Sequence, residues 1–532
     1  MSLSPERRAL LARRLAEKGL KPAAAEEGIP RRSQDGPVPL TSAQEALWFL
    51  DQLEPESESG HALHNQPGAV RLVGTLDVEA LRRSLDEIVR RHEALRTRFV
   101  TSDGKPFQDV MPHEPLELPL TDLSDRPHSE ADTEAKRLAS EDAHTPFDLE
   151  QGPLRRMFLV RLAADEHILV ITLHHIITDG WSMGVFTTEL DQLYRAYLAG
   201  GESPLPELPI QMGDVAVWQR DVLQGETLEG HLAYWRKQLA PPLTALSLPT
   251  DRPRPAVQSY RGGHQTIQLS AELSDALRAL SRKQGVTLFM TLHAAWSVLL
   301  HAITRETDVV IGSAVAHRNR KELEGLIGFL VNMLILRLDL SGDPPFSELL
   351  RRARDVTVGA WSHQDLPLTR IVKEVAPERD LSRTPLFQIE FSLLTPDKNP
   401  AVFGYGLAMG SIETVELPGL VMTPVDVDYD NARYDIAVFL WDMPGGVHGT
   451  IEYSSDLFDA ATMERLAQRY ETLLRSVVER PEATLAELVG VLAEADRDAA
   501  TAAEQSHEQS MKDKLKSIRR RRARPGPSGD GS

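Results

Sequence analysis

The sequence predicts a mixed α/β protein built as two lobes, and three observations carry that expectation. The chain has 532 residues, more than one ordinary hydrophobic core organises. Runs rich in β-branched residues alternate, in both halves, with segments whose apolar residues recur at helical spacing. Between the halves lies Ala240–Pro255, whose five prolines read as a connector.

The elements follow in order. Leu3–Lys21 places Leu10, Leu11, Leu15 and Leu20 at helical spacing among charged residues, after a Ser4-Pro5 start, and reads as an amphipathic helix. Ala23–Pro39 is polar and linker-like, so residues 1–37 are expected to stand apart from the lobes. A first lobe over 38–215 is predicted to hold a helix at 42–53, a strand at 69–73, a helix at 77–92 and a strand at 96–100. Asp103-Gly104 supplies a hairpin turn. Strands at 155–162 and 167–173 and a helix at 183–198 follow, then a proline-rich stretch and the helical Asp214–Leu223.

A second lobe over 216–490 is predicted to open with a strand at 264–269 and helices at 271–284 and 287–302. Strands at 307–313 and 332–338 and a helix at 345–360 come next. Residues 394–430, rich in Pro and Gly, read as irregular. Strands at 434–441 and 447–453 and a helix at 459–479 close the lobe. From Ala493 the composition turns to Ala, Glu and Gln, so 491–532 is expected to be a flexible tail, with a basic run at Met511–Arg524. That run reads as a solvated end or as a short docking helix for an acidic partner.

Composition narrows the function classes. A hydrophobic share of 41% with 26% charged residues is that of a globular protein, and the net charge of −19 argues against broad binding of nucleic-acid backbones. With no cysteine there is no disulfide, thiolate metal site or cysteine nucleophile. The 17 histidines show no metal-ligand spacing such as His-Glu-x-x-His. No apolar stretch is long enough to span a bilayer and the N-terminus lacks a signal-peptide core, which together suggest a cytoplasmic protein.

The chemistry concentrates in Leu173-His174-His175-Ile176-Ile177-Thr178-Asp179-Gly180-Trp181-Ser182. Two histidines stand where the apolar run Glu166–Leu173 ends, with Asp179 four residues beyond the second and Gly180 at once after it. An imidazole at the end of a rigid strand can act as a base near neutral pH, and a glycine tolerates the backbone of a turn. The pattern suits acyl transfer; its structural alternative is a satisfied core histidine or a surface pair.

Further segments line up around the motif. Thr41–Leu50 and Arg91–Phe99 precede it. Asp214–Arg220, Ile327–Arg337, His363-Gln-Asp-Leu-Pro367 and Arg379–Gln388 follow. In order and spacing the set resembles the seven core motifs of nonribosomal peptide synthetase condensation domains, over about residues 38–490. The resemblance implies two chloramphenicol-acetyltransferase-like lobes in a V shape, with a tunnel between them and the His-His motif on its floor. It implies an acyltransferase that joins a carrier-bound donor acyl or peptidyl thioester to a carrier-bound acceptor amine. No cofactor is bound; the phosphopantetheine arm comes covalently on the donor and acceptor carrier proteins.

Residue by residue, the resemblance assigns His175 to the attacking amine, as base or as positioning group. Gly180 would offer its N–H to the thioester oxygen. His174 would fix the loop, and Trp181 and Ser182 would support the site. Asp179 would point away and hold the motif through an ion pair with a buried arginine, for which Arg337 is the candidate. Asn332 belongs to a crossover segment covering the site. Arg91 and Arg96 look structural, and Trp48, Trp181 and Trp218 read as core or wall aromatics. Tyr260–Gly263 resembles a floor loop between lobes, Ala432–Asp435 the start of a latch, and Ile311–Arg320 the strand and loop lining the acceptor side.

Three positions depart from the family pattern: Met212, His64 with Asn65-Gln66-Pro67, and Met333. The Asp-x-x-x-x-Asp motif of heterocyclising relatives is absent, and the pattern is most similar to the type that takes an L-configured donor. No adenylation or carrier segment is seen, so a free-standing or excised domain is expected. Its termini would meet a neighbouring synthetase module or tailoring enzyme. Two alternatives remain open: acyl transfer to a soluble amine or alcohol, and a silent domain that docks a tailoring enzyme.

Overall fold

A computed structural model of the chain describes residues 28–33, 37–53, 62–243, 245–375, 382–395, 414–427, 431–443, 445–498 and 501. The helix expected at Leu3–Lys21 and the basic run Met511–Arg524 lie outside the described residues. In chain order the first strands are β1 (Val38–Pro39), β2 (Asn65–Gly74), β3 (Thr97–Ser102), β4 (Lys105–Val110), β5 (Leu120–Asp122), β6 (Arg155–Ala163) and β7 (Glu166–His174). They are followed by β8 (Gly262–Gln268), β9 (Asp308–Val315), β10 (Asn332–Asp339), β11 (Ile389–Leu394), β12 (Val415–Leu417), β13 (Leu420–Pro424), β14 (Ile436–Met443) and β15 (Gly446–Ser454).

Two six-stranded sheets organise the molecule. The first runs β12-β13-β2-β7-β6-β5 and the second β10-β9-β11-β14-β15-β8, with a small β1-β4-β3 sheet beside them. One expectation is corrected here. Part of the stretch predicted as irregular, 415–424, forms β12 and β13, and Leu420–Pro424 pairs antiparallel with Val70–Gly74 of β2. A segment of the second half thus completes the first sheet, a non-local pairing that leaves no periodic signature in five residues. The tail expected from Ala493 is also shorter, because residues 485–498 are helical and bury Leu488 and Leu492 in the second core.

β7 is the central strand of the first sheet and is buried almost throughout. Alternation sends Leu169, Ile171 and Leu173 to one core, with Leu85, Ile88, Phe186 and Leu190 of the helices Val78–Arg91 and Gly180–Leu198. It sends Ile168 and Val170 to the other face, against Ala131, Ala135 and Ala139 of the helix His128–His144. Methyl side chains at four-residue spacing let that helix lie close on the sheet. His174 continues the even-numbered series, which explains its burial at the strand end.

The second sheet is covered on one face by the helices Ala271–Gln284, Leu288–Thr304, Phe346–Ser362 and Ala460–Glu479. Leu288–Thr304 is apolar nearly all round, as a helix enclosed on every side must be. Among the described residues no single helix is long and apolar enough to cross a membrane.

His293 on this helix is fully buried beside Phe289 and Phe391, and burial lowers its imidazole to about 4. The unfolded chain takes up that proton near 6.5, so between 6.5 and 4 the unfolded state binds more protons and folding weakens as pH falls. One such group removes about 3 kcal/mol by pH 4. Buried Glu390, raised to about 7, acts with the opposite sign, so the informative quantity is a difference between variants. Urea midpoints at pH 7 and pH 4 are expected to separate less in His293→Leu than in wild type, by roughly that amount; equal separations refute the assignment.

Candidate active site

The motif is built where β7 runs out into a single 3-10 turn, His175–Ile177, and then into the helix Gly180–Leu198. His174 caps the turn: its Nδ1 accepts from the Ile176 N–H at 3.2 Å. Burial, with His64, His175 and Arg433 nearby, pushes this imidazole well below its ordinary range, so it is neutral. The rings of His64 and Phe147 meet it edge-on at 5.9 and 6.1 Å.

His175 remains partly accessible. Its backbone N–H donates to His64 O at 2.7 Å, and its Nδ1–H donates to Thr178 O at 2.7 Å. A carbonyl can only accept, so the proton sits on Nδ1 and Nε2 carries the lone pair. The Phe329 ring lies 4.8 Å away. Burial first, and the Arg433 guanidinium second, hold His175 well below the ordinary imidazole range.

Asp179 turns away from His175 into the protein. It caps the helix, with Oδ1 accepting from Ser182 N at 2.9 Å and lying 2.7 Å from Ser182 Oγ. Its Oδ2 accepts from Arg318 Nη1 at 2.8 Å and from Leu330 N at 3.1 Å. Both side chains of the Asp179–Arg318 pair are 0% exposed. Burial opposes ionisation of Asp179, but Arg318, Ser182 and the Leu330 N–H outweigh it and keep the carboxyl below its usual range. Arg318 also donates to the carbonyls of Ala316, Leu326 and Gly328. One arginine therefore fastens the segment 326–330 of the second half onto the motif of the first.

The partner nominated from sequence is corrected accordingly. Arg337 lies elsewhere, bidentate on Asp308 at 2.8 and 2.9 Å and donating to the carbonyls of Gln238, Ala240 and Pro242. It points along the outer part of β10, paired with Val310 of β9. Arg318 sits only eight residues before Leu326, in a loop where nothing in the pattern says which basic residue is buried. Gly180 also differs from the turn glycine expected: it is the first residue of the helix, and the positive-φ glycines lie elsewhere.

Other predicted residues are placed as follows. Ser182 Oγ accepts from Gly328 N at 3.0 Å, and Trp181 Nε1 donates to Glu324 O at 2.8 Å, so both join the motif helix to the crossing segment. Asn332 opens β10 and ties it to the carbonyls of Gln364 and Leu366, not to the His-His motif. Arg91 is buried on Glu189, and Arg96 donates to Met111 O. Met212, one of the departures, packs on Gly328, where an added Cβ would meet its Sδ at 2.3 Å.

The sequence pattern gives neither Arg433 nor His64 a place in the site, and the fold gives one to both. Arg433 Nη2 donates to Leu63 O at 3.3 Å and to His64 Nδ1 at 3.2 Å, across 369 residues of sequence in the latter case. Burial first, then Arg433, holds His64 well below its ordinary range. A neutral histidine pair at the strand end is therefore set against one guanidinium from the second half. Among the described residues no group of three His, Cys, Asp or Glu side chains is arranged to hold a metal.

Comparison with known proteins points the same way. The condensation-domain family profile matches residues 34–499. A linear gramicidin synthase of Brevibacillus parabrevis is 45% identical over 455 residues, 85% of this chain and 6% of that protein. Phosphinothricin tripeptide synthetase PhsC of Streptomyces viridochromogenes is 40% identical over 495 residues, 92% of this chain and 43% of that protein. The chain thus spans only a small part of the first relative and less than half of the second. Among solved structures, the complex of the X-domain and OxyB from teicoplanin biosynthesis aligns with a TM-score of 0.76 at 29% identity, over 88% of this chain and 99% of that one. The two-sheet mixed α/β architecture is the chloramphenicol-acetyltransferase-like fold shared with these neighbours. In sequence and in fold, the chain belongs to the condensation-domain family of the peptide synthetases.

Proposed function

We propose that this chain forms an amide bond between a carrier-bound donor acyl or peptidyl thioester and a carrier-bound acceptor amine. The observation that carries the reading is the state of His175: Nδ1–H is fixed on Thr178 O, and the unprotonated Nε2 is left on a partly accessible ring. In the step, the neutral amine nitrogen attacks the thioester carbon, the C–S bond breaks, and the thiolate leaves on the donor arm. The surplus amine proton passes through His175 Nε2 to that thiolate. Gly180, at the first position of the helix, has no acceptor within its own helix for its N–H and is offered to the oxyanion. Because its pKa is depressed, His175 is a weak base for a free ammonium group, so positioning of an already neutral amine carries more of the rate than proton removal.

The carriers come from outside the described fold, and a cytoplasmic setting goes with this reading. A docking role is the second reading, favoured by the X-domain of the teicoplanin system, which was solved in complex with OxyB. The test is reconstitution with a donor aminoacyl carrier and an acceptor aminoacyl carrier, followed by intact-protein mass spectrometry. Dipeptide on the acceptor carrier is the expected outcome. An acceptor carrier that stays unchanged, with product only from free amines or alcohols, moves the reading to soluble acyl transfer. No product over the whole panel moves it to docking.

A further inference from the structure

β11 lies in the middle of the second sheet, between β9 and β14. Alternation sends Ile389 and Phe391 into the core under the helices and leaves Glu390 and Ser392 on the opposite face. Glu390 stands level with Gly312 of β9 and is 6% exposed. Among the described residues its carboxyl has one hydrogen bond, from Ser392 Oγ at 3.2 Å, and no ion pair. A buried carboxyl without a cation is an expensive thing to keep in a sheet, since a neutral side chain of the same length would avoid the cost.

Two neighbours tie this carboxyl to the site. Tyr434, partly accessible, feels its charge. The Arg433 guanidinium acts on both Glu390 and His175, yet its Nη2 turns to Leu63 O and His64 Nδ1, and among the described residues it makes no ion pair with Glu390. Arg433 thus stands between Glu390 and the His-His motif, bonded to His64 whose ring meets His174, and among the described residues Glu390 is left without an ion pair. Burial raises its carboxyl to about 7, so the group stands ready to ionise when a cation reaches it.

Resting on the condensation reading, we propose that Glu390, with Ser392 and Tyr434, is the recognition point for a cationic side chain on the aminoacyl substrate. An ammonium or guanidinium entering between the sheets would complete the pair that the fold leaves unmade, and a neutral isostere would leave the carboxyl buried alone. A charge-assisted hydrogen bond discriminates by about 10- to 100-fold. Either the acceptor or the donor can carry the side chain, and the two arms of the test separate them.

Initial rates are measured with lysyl and norleucyl carriers as acceptor against one alanyl donor, and then with the roles exchanged. A lysyl-to-norleucyl rate ratio of about 10 or more in one arm is expected for wild type, collapsing toward one in Glu390→Gln. Glu390→Leu, which removes the polar group altogether, guards against an amide that folds poorly, and melting curves check both variants. A ratio near one in both wild-type arms, or a ratio that survives in the variants, overturns the proposal. If no amide forms from any carrier, the condensation reading has failed, and calorimetry with lysyl- and norleucyl-pantetheine amides decides this one: equal affinities refute it.

Discussion

Asp179→Ala should destabilise the protein by about 3–5 kcal/mol, enough to leave little soluble material. The reason is the arginine left behind. Arg318 is fully buried, and its Nη1 has Asp179 Oδ2 at 2.8 Å as its anionic partner. Removing the carboxylate strands a charge, frees the Leu330 N–H and uncaps the helix Gly180–Leu198 in one change. Arg318→Met is expected to cost a similar amount for the mirror-image reason. Because the two residues form one unit, the double variant should lose clearly less than the sum. Arg337→Ala is the control that tests the corrected pairing: its contact with Asp308 is partly exposed, and a loss of only about 1 kcal/mol is expected. Urea midpoints for the four variants check the set. A mild Asp179→Ala beside a severe Arg337→Ala would reverse the assignment.

How far this arrangement could be read from sequence depends on whether the signal is local. β7 carries a long run rich in β-branched residues, β6 a shorter apolar run, and Ser42–Leu53 and Ala271–Gln284 carry helical periodicity, so both their type and their place were legible. The helix His128–His144 was not, because its buried stripe is made of alanines, which supply spacing without hydrophobic contrast. β12 and β13 escaped for a different reason. They are three and five residues long; β13 owes its strand state to β2, some 350 positions earlier in the chain, and β12 pairs in turn with β13.

The site divides in the same way. The His-His-x-x-x-Asp-Gly spacing put the histidines at a strand end and the aspartate in the turn before a helix expected from 183; the structure starts that helix at Gly180 and makes Asp179 its cap. The arginine that answers Asp179 could not be found that way, since any of 59 basic residues satisfies a requirement for positive charge. Burial chooses Arg318, and burial follows from how the segment 326–330 crosses the motif. His64 stood out only as a departure from a family pattern. Its meaning emerged when Arg433 and both motif histidines were seen around it.

His175→Ala should lower kcat for amide formation by roughly 10²- to 10⁴-fold while the fold survives. Survival is expected because the ring makes one hydrogen bond, to Thr178 O, while the backbone bond to His64 O does not need the side chain. KM for both carriers should stay within a few fold, since the carriers dock outside the motif in this reading. The pH dependence then separates positioning from general-base action. A base that had to strip an ammonium would show its own inflection in kcat/KM. With His175 held low by burial and Arg433, that inflection falls below the range in which the protein is handled. The rising limb should instead follow the acceptor amine, near 7–8, and keep its position in Arg433→Gln. A limb that moves upward when Arg433 loses its charge would mean that the imidazole titrates after all, and that proton removal, not placement of the amine, sets the rate.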